Sequence, residues 1–322
     1  MCLIVPHYKE PWDVCKFLFD SIQTQHGIDF NDFYVLVVND GEDGVLDKSV
    51  FEPYTFDIEY VTRPHGGLSA TRNYGIEHAD AEYVMFCDCD DGFLSNYGLH
   101  LVLGAIQEGF EMLNSAFIEE QPYNGGWKIF RRDKNMVFIH GKAYNRQFLL
   151  DNDLRFDTRL YFSEDSVFNN LAYHKAKKYK YIETPFYLWT WHEGSTVRKD
   201  RETLVLRKYD QVMLMRTLVC ENLKKHGYDE DYLDSVCKAF FDCYYDFNEP
   251  AFVKPENQKW IPDAEREFKK FYKQFIGDFM KCDSERIRKM MMASRMAAYD
   301  AGLQVEHIDF KSWIKHIRNE VK

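Results

Sequence analysis

The feature that most constrains the fold of this chain is the alternation of short apolar runs with segments of helical periodicity in its first third. The apolar runs are CLIV (2–5), FYVLVV (33–38), DIEYV (57–61), EYVMFCD (82–88) and FEMLNSAFI (110–118). Between them, helical spacing occurs in PWDVCKFLFDSIQTQ (11–25), GGLSATRNYGIEHA (66–79) and LHLVLGAIQEG (99–109), with Ser69 as the predicted N-cap of the second. This order predicts an α/β fold, in which helices cover both faces of a mainly parallel central sheet.

The pattern changes at about residue 200. Helical periodicity then dominates, in the segments 202–226, 229–247, 263–281 and 284–301. The 322 residues also slightly exceed the roughly 250–300 that one hydrophobic core supports. We therefore expect residues 1–200 to form the α/β domain and residues 201–322 a helical region that contacts an acceptor, a partner or another copy of the chain.

Charge is distributed unevenly along the sequence. The formal net charge is −11, but residues 254–322 hold 15 Lys+Arg against 11 Asp+Glu, a net of +4, which leaves −15 on residues 1–253. An acidic main body disfavours a broad duplex-DNA footprint. The basic tail suits a solvated helical face better than it suits a membrane surface, a nucleic acid or an acidic partner.

The cysteines and the hydropathy pattern bear on the compartment. The eight cysteines show no CxxC spacing, so they predict buried thiols in a reducing environment and neither a zinc site nor a disulfide framework. No signal peptide precedes the first apolar run, and no run approaches the ~20 apolar residues that span a bilayer. These features predict a cytoplasmic protein, or one peripheral to a membrane, without a transmembrane segment.

Carboxylates crowd the end of the fourth apolar run, in YVMFCDCDDGF (83–93). Residues i and i+2 of a strand point to the same side, so Asp88 and Asp90 converge while Cys89 points into the core. Two converging carboxylates suit a hard divalent cation, Mg²⁺ or Mn²⁺. An EF-hand fails here, since Gly92 and Leu99 occupy positions that need ligands, and PHYKEPW (6–12) lacks a Rossmann GxGxxG. The alternative, in which these aspartates only cap the following turn, stays open.

Five segments in a fixed order carry a resemblance to a known family. They are VPHYKEP (5–11), VVNDGEDG (37–44), HGGLSATRNYGIEHADAEYVMFCDCDDGF (65–93), FSEDSVF (162–168) and WTWHEGSTV (189–197). Together they resemble glycosyltransferase family 2, over about residues 1–200. The resemblance implies the GT-A fold, a Rossmann-like sheet that binds a nucleoside-diphosphate sugar, and a D-x-D motif that holds a divalent metal against the diphosphate.

The resemblance also implies roles for individual residues. The residues that would bind the nucleotide sugar are Pro6, Tyr8, Glu10, Asp40, Gly66, Gly67, Arg72, Asp88, Ser195 and Arg198. Within that set, Asp40 would accept a hydrogen bond from the base, typically uracil, and Arg72 would meet the nucleotide or the diphosphate. An Asx turn at Asp40 and a surface ion pair at Arg72 are the alternatives.

The resemblance implies metal-binding and catalytic roles for a smaller group of residues. Asp88 and Asp90 would bind the metal, and His192 is a third candidate ligand. The resemblance makes Asp165 the general base and Glu164 its neighbour on the acceptor side, although two acids at a helix start also suit capping. The role of Asp91 stays open.

The resemblance thus implies an inverting, metal-dependent transferase that moves a sugar, with UDP as the expected nucleotide, to a hydroxyl of a saccharide or glycoconjugate. Three alternatives remain: transfer to a modified nucleic-acid base, a nucleotidyltransferase, and a binding module without catalysis. Acceptor contacts are candidates in YNGGW (123–127), where an ordinary turn is the alternative, and at Trp189 and Trp191, where the alternative is core packing.

Overall fold

The computed structural model describes residues 1–123, 125–192, 201–249, 252, 254–300 and 310–321. The chain forms two units, Met1–Ser195 and Thr196–Lys322. The predicted boundary at residue 200 lies outside the described residues, as do the predicted site residues Ser195 and Arg198. The division at residue 200 therefore stays a prediction.

The described part of the first unit contains nine strands and five α-helices. The strands are β1 (Cys2–His7), β2 (Tyr34–Asp40), β3 (Asp57–Arg63), β4 (Tyr83–Phe86), β5 (Gly92–Phe93), β6 (Met112–Tyr123), β7 (Gly126–Arg132), β8 (Ala143–Asn145) and β9 (Tyr179–Trp189). The helices are α1 (Trp12–Gln23), α2 (Leu68–His78), α3 (Gly98–Glu108), α4 (Arg146–Asp151) and α5 (Glu164–Lys175).

The strands form one sheet in the order β3-β2-β1-β4-β8-β6-β9-β5, with β7 paired to β6. Pairing is parallel from β3 through β2 and β1 to β4, and again between β6 and β9. It is antiparallel at β8, β7 and β5. Because the carboxyl ends of parallel strands meet at one edge, the segments that follow β1, β2 and β4 come together there.

Helices cover both faces of this sheet, as the alternation of apolar runs predicts. Along β1, Leu3 and Val5 belong to one buried cluster, whereas Cys2 and Ile4 belong to another on the opposite face. The first cluster includes residues of α1 and α3, and the second includes residues of α2, α4 and α5. The predicted fold class is confirmed, with a sheet that is mixed beyond β4.

Two local predictions need correction. Ser69 does not cap α2: the helix begins at Leu68 after Gly67, whose φ of 85° suits glycine, and the Ser69 hydroxyl donates to the Leu160 carbonyl at 3.1 Å. The antiparallel strands β5, β7 and β8 were not predicted. β5 and β8 have two and three residues, too few to show a period, and β7 is largely exposed, with apolar side chains on both of its sides.

The second unit is helical in its described residues, as predicted. Its helices are α6 (Arg201–Arg207), α7 (Tyr209–Lys225), α8 (Asp229–Phe247), α9 (Ile261–Phe279), α10 (Ser284–Asp300) and α11 (Phe310–Val321), the last of which was not predicted. Phe240 of α8 packs against rings of α9, with a centroid distance of 4.6 Å to Phe279. All eight cysteines of the chain are buried free thiols, as predicted. No helix in the described part of the chain is long and apolar enough to cross a membrane.

Candidate active site

The D-x-D turn lies at the carboxyl edge of the sheet, directly after β4. Cys87 and Cys89 are buried, at 0 % and 5 % exposure, so they belong to the core beneath the turn. The side chains of Asp88 and Asp90 keep 28 % and 27 % of their surface exposed. The alternation expected from strand geometry therefore continues through the turn, and both carboxylates remain accessible to a ligand.

Arg72 joins this turn to the acidic pair at the start of α5. Its guanidinium is buried and donates to Asp88 at 2.9 Å, to Glu164 at 2.8 Å and to Asp165 at 2.6 Å. The arginine plane also lies 5.3 Å from the ring centroid of Phe156. A planar cation with several donors can satisfy three carboxylates at once, which a lysine cannot do in the same geometry. Three acids that are far apart in sequence thus share one counter-ion.

The charges of this cluster shift its pKa values. Burial alone raises the pKa of Asp88, but the Arg72 guanidinium outweighs it and lowers the pKa below its ordinary value. Burial raises the pKa of Asp165 to about 8, with Arg72 opposing the rise and the Glu164 and Asp88 carboxylates adding to it. A carboxyl group poised near neutral pH suits proton transfer.

Asp165 is held in place on both of its oxygens. Oδ1 accepts from Arg72, and Oδ2 accepts from the backbone N–H of Ile139 at 3.0 Å. The residue before the acidic pair, Ser163, has a left-handed backbone with φ of 62°. That conformation costs a non-glycine residue on the order of 1 kcal/mol, and such strain is concentrated at functional sites. The strained turn brings Glu164 and Asp165 to Arg72.

Asp90 contacts His192 in the segment that follows β9. The Nε2 atom of the imidazole forms a short hydrogen-bonded contact with the Asp90 carboxylate. The two residues are 102 positions apart, so this contact depends on the pairing of β9 with the rest of the sheet. The structure thus brings together two of the three metal-binding candidates.

Asp91 is the buried anchor of the same turn. Its exposure is 1 %, and its carboxylate accepts from the Tyr187 hydroxyl at 2.7 Å and from the Thr190 backbone N–H at 3.0 Å. The Thr190 hydroxyl donates in turn to the Asp90 carbonyl, and the Asp88 backbone N–H donates to the Tyr187 oxygen at 3.1 Å. These bonds tie the D-x-D turn to the end of β9. The Asp91 carboxylate therefore bonds to β9 and the residue after it, and it does not cap the following turn.

One group of three side chains in the described part of the chain has ligand atoms close enough together to hold a metal ion. One ligand atom from each of Asp88, Asp91 and His140 lies within 4.8 Å of the others. However, the side chains of Asp91 and His140 are only 1 % and 4 % exposed, whereas that of His192 is 30 % exposed. A metal that bridges a diphosphate needs accessible ligands. Two carboxylates and an imidazole suit Mn²⁺ or Mg²⁺, and Asp90 and His192 are in contact, so the set Asp88, Asp90 and His192 stays the predicted metal site.

The glycine loop before α2 is built around Asp40, at the end of β2. The Asp40 carboxylate accepts from the backbone N–H groups of Gly66 at 3.0 Å and Gly67 at 2.7 Å, and it pairs with Arg63. Burial favours a raised pKa for Asp40, but these hydrogen bonds and Arg63 lower it. Asp40 therefore organises the loop directly, and its predicted contact with a nucleotide base remains a prediction.

The segment after β1 lies beside this loop. Tyr8 is 42 % exposed and stacks on His65, with ring centroids 4.7 Å apart. Glu10 accepts from the Tyr8 backbone N–H at 2.6 Å, and Pro6 is buried within β1. An exposed ring stacked on an imidazole forms a flat surface at the carboxyl edge, the kind of surface on which a base can stack.

Some residues of the site were not identified from the sequence. Arg63, in the motif RPHGG, pairs with Asp40, and Tyr187, in the aromatic run FYLWTW, anchors Asp91. Lys142 is fully buried, and its ammonium donates to the Phe138 carbonyl at 2.5 Å. Burial lowers the pKa of Lys142 to about 7, although Asp165 opposes the change. Nothing in the local pattern around Lys142 signals its burial.

Comparison with known proteins places the chain in a family. The sequence model described as "Glycosyl transferase family 2" matches residues 2–170, which is more than half of the chain. The chain is 25 % identical over 212 residues to the uncharacterized glycosyltransferase EpsJ of Bacillus subtilis, covering 58 % of this chain and 60 % of EpsJ. It is 23 % identical over 319 residues to the poly(ribitol-phosphate) beta-N-acetylglucosaminyltransferase TarS of Staphylococcus aureus, covering 90 % of this chain and 51 % of TarS. The chain thus spans only about half to three-fifths of these relatives.

Solved structures agree on the fold. The crystal structure of S. aureus TarS 1–349 superposes with a TM-score of 0.60 at 17 % identity, covering 96 % of this chain and 93 % of that one. The same TarS fragment in complex with UDP superposes with a TM-score of 0.60 at 18 % identity, covering 96 % of this chain and 94 % of the TarS fragment. With its mixed sheet, its carboxyl-edge aspartates and more than half of its length within the family's sequence model, this chain belongs to glycosyltransferase family 2 and has the GT-A fold.

Proposed function

We propose that the chain is a metal-dependent inverting glycosyltransferase that uses a UDP-sugar as donor and a hydroxyl of a polyol-phosphate polymer as acceptor. The observation that carries the reaction is the Arg72 cluster, which holds Asp165 and Asp88 on one guanidinium. An inverting transfer needs a base for the acceptor and a carboxylate-bound metal for the leaving group, close to each other. The cluster provides that proximity.

Asp165 acts as the general base. It takes the proton of the acceptor hydroxyl, and the acceptor oxygen forms a bond to the anomeric carbon while the bond from that carbon to the UDP oxygen breaks. Arg72 and the Ile139 backbone N–H fix the orientation of the carboxylate, each on its own oxygen. Each carboxylate oxygen keeps a second lone pair that can accept the proton.

Asp88, Asp90 and His192 hold the divalent metal. When bound, Mn²⁺ or Mg²⁺ neutralises the negative charge that develops on the UDP leaving group. Tyr8 and the loop organised by Asp40 take the nucleotide. Support for UDP comes from the TarS fragment, whose solved complexes include UDP and UDP-GlcNAc.

The acceptor class rests on the relatives' names. Besides TarS, the chain is 28 % identical over 197 residues to a poly(ribitol-phosphate) beta-glucosyltransferase of Bacillus spizizenii, and 22 % identical over 333 residues to the minor teichoic acid biosynthesis protein GgaA of B. subtilis. A polymer of polyol phosphates presents many hydroxyl groups of the kind that Asp165 would deprotonate. We therefore propose this class ahead of other saccharides.

The test is a transfer assay with the full chain, Mn²⁺, UDP-GlcNAc or UDP-glucose, and poly(ribitol phosphate). We expect transfer of sugar to the polymer with stoichiometric release of UDP. Release of pyrophosphate would instead identify a nucleotidyltransferase, and transfer to an oligonucleotide would identify a nucleic-acid acceptor. Failure to turn over any sugar nucleotide, despite donor binding, would indicate a binding module.

A further inference from the structure

We infer that the tip of the β6–β7 hairpin, together with Trp191, is an acceptor subsite that binds a polyol-phosphate chain beside the candidate metal site. This inference rests on the proposed function and names the part of the molecule that recognises the acceptor. The hairpin tip is defined here by Tyr123, Trp127, Lys128, Ile129 and Phe130.

The β6–β7 hairpin extends from the sheet, and side-chain hydrogen bonds hold its base in place. β6 and β7 pair continuously from Phe117 opposite Arg132 to Tyr123 opposite Gly126. At the base, Arg132 donates two hydrogen bonds to Glu119, at 2.8 Å and 2.6 Å, and Arg131 donates to the Glu183 carbonyl at 2.9 Å. These contacts hold the strand pair against the sheet, so the tip is presented on a supported element.

Trp127 is the prominent side chain of the tip. It is 60 % exposed, and its ring meets the edge of Trp191 at a centroid distance of 5.9 Å and an angle of 64°. Trp191 directly precedes His192, whose imidazole contacts Asp90. The two indoles thus form an aromatic corner that adjoins the candidate metal site, although 64 positions separate them in the sequence.

Trp189 does not belong to this corner. Its ring packs at 4.8 Å against both His140 and Phe138, and it lies against the buried cluster of the sheet. Of the two tryptophans that were candidates for a sugar platform, the structure assigns Trp189 to packing and leaves Trp191 at the corner. Trp127 and Trp191, which come from two separate candidates in the sequence, are in contact.

The chemistry of the tip matches a polyol phosphate. Indole faces pack well against the C–H surfaces of sugars and polyols, and Ile129, which is 56 % exposed, extends that apolar surface. Lys128 leaves β7 on the side opposite Trp127, and its ammonium lies 5.5 Å and 4.6 Å from the rings of Tyr123 and Phe130. Among the described residues, no carboxylate forms a salt bridge with this ammonium, so it can meet a phosphodiester. A polyol-phosphate polymer that crosses the hairpin tip would contact the apolar surface of Trp127 and Ile129 on one side and the Lys128 ammonium on the other.

Charge distinguishes this tip from the body that carries it. The whole hairpin, residues 117–134, contains four Lys+Arg against three Asp+Glu, a net of +1, whereas residues 1–253 have a net charge of −15. A hairpin that lacks the negative charge of the body and carries the Lys128 ammonium at its tip favours a flexible polyanion that touches the protein at a few points. A nucleic acid that needs an extended basic surface is disfavoured.

The experiment measures binding of poly(ribitol phosphate) to the full chain by calorimetry without donor. Trp127→Ala should weaken binding roughly three- to tenfold, the range expected for loss of one aromatic contact, and Trp127→Phe should keep most of the affinity. Lys128→Gln should reduce the dependence of binding on salt. In transfer assays, Trp127→Ala should raise the KM for the polymer while the KM for UDP-GlcNAc and donor hydrolysis stay unchanged.

Tyr97→Ala is the matched control. Tyr97 is 55 % exposed and has a tilted ring contact with His26 at 5.9 Å, beside the C-terminal end of α1, so it resembles Trp127 in exposure and packing. The inference is overturned if the wild-type chain does not bind the polymer, if Trp127→Ala binds as well as wild type, or if Tyr97→Ala weakens binding equally. Tighter binding of a neutral oligosaccharide or of single-stranded DNA of equal charge would also overturn it. Polymer binding that depends on Trp127 without any sugar transfer would refute the proposed reaction and leave the subsite standing.

Discussion

Arg72 shows how one buried cation organises chemistry contributed by distant segments. Its three carboxylate partners would repel one another without it, since Glu164, Asp165 and Asp88 converge on the same guanidinium. The sequence comparison with the family placed Arg72 at the nucleotide or the diphosphate. In the structure its guanidinium donates to the three acids, so we propose that it orients Asp165 and Asp88 for the reaction.

The pKa of Asp165 leads to a prediction about pH. A general base works only when it is unprotonated, so kcat/KM should rise with pH through an acidic limb centred near pH 8, well above the ~4 of an exposed aspartate. Asp165→Asn should remove this limb and lower kcat on the order of 10²–10⁴-fold. The measurement is the pH profile of transfer for both proteins, with donor affinity as the check on folding.

Glu164→Gln provides the comparison. The Glu164 carboxylate helps to raise the pKa of Asp165, so its neutralisation should move the acidic limb to lower pH while a base remains. Full turnover by Asp165→Asn would show that another residue is the base, and an acidic limb near pH 4 in the wild type would show that the pKa of Asp165 is not raised.

Asp91 leads to a second prediction, because it positions the metal-binding turn without facing the ligand. Asp91→Ala and Tyr187→Phe each remove hydrogen bonding between the turn and β9, so each should weaken Mn²⁺ binding, and the double variant should lose little more than either one. Mn²⁺ titration followed by electron paramagnetic resonance measures this directly.

Tyr144→Phe is the matched control for that experiment. Tyr144 is also fully buried, and its hydroxyl donates to Asn169 at 2.6 Å, but it belongs to the cluster on the other face of the sheet. Tyr144→Phe should lower the free energy of unfolding by ~1 kcal/mol, as Tyr187→Phe should, and leave the affinity for Mn²⁺ unchanged. Equal loss of metal binding in all three variants would mean that general destabilisation is responsible.

At the scale of secondary-structure elements, the pairing of α7 with α8 includes a buried ion pair. Arg216 of α7 donates to Asp246 of α8 at 2.6 Å, and both side chains are close to 12 % exposed. Asp246→Ala would leave the Arg216 charge buried without a counter-ion. We expect a loss of about 3–5 kcal/mol in the free energy of unfolding, measured by urea titration followed by circular dichroism.

The exposed pair on α9 is the control for that prediction. Arg266 and Asp263 lie one turn apart with side chains 59 % and 63 % exposed, so Asp263→Ala should change the free energy of unfolding by less than about 1 kcal/mol. Similar losses for the two substitutions would show that the α7–α8 pair has the weak energetics of a surface contact.

At the scale of the whole molecule, donor and metal should stabilise the chain together. UDP-GlcNAc at 100 times its Kd adds about 2.7 kcal/mol to the free energy of unfolding, so the Tm should rise when donor and Mn²⁺ are both present. Asp90→Asn should lose the part of this rise that depends on Mn²⁺. The measurement is thermal unfolding with donor, with and without EDTA.

Asp80→Asn is the control, since Asp80 is an exposed aspartate that precedes β4, at the opposite end of that strand from Asp90. It should keep the full Mn²⁺-dependent rise. An equal rise in Asp90→Asn would remove Asp90 from the metal site.

The sequence by itself determined the features that depend on local periodicity. The parallel strands β1 to β4, the helices between them and most helices of the second unit follow from apolar spacing, because a residue's side of a strand or helix depends only on its position in the repeat. The outward orientation of Asp88 and Asp90 follows for the same reason. The ordered motifs then identified the family, and the comparisons confirmed it.

Only the tertiary structure decided which distant residues share a site. Arg72 meets acids 16, 92 and 93 positions away, Asp91 bonds to the end of β9, and Trp127 reaches Trp191. These contacts depend on the antiparallel placement of β7 and β8 and on the register of β9 with β6. Neither the placement of these strands nor the register of β9 produces a periodic pattern in the local sequence. Strand partners are selected by packing and by the closure of long connections.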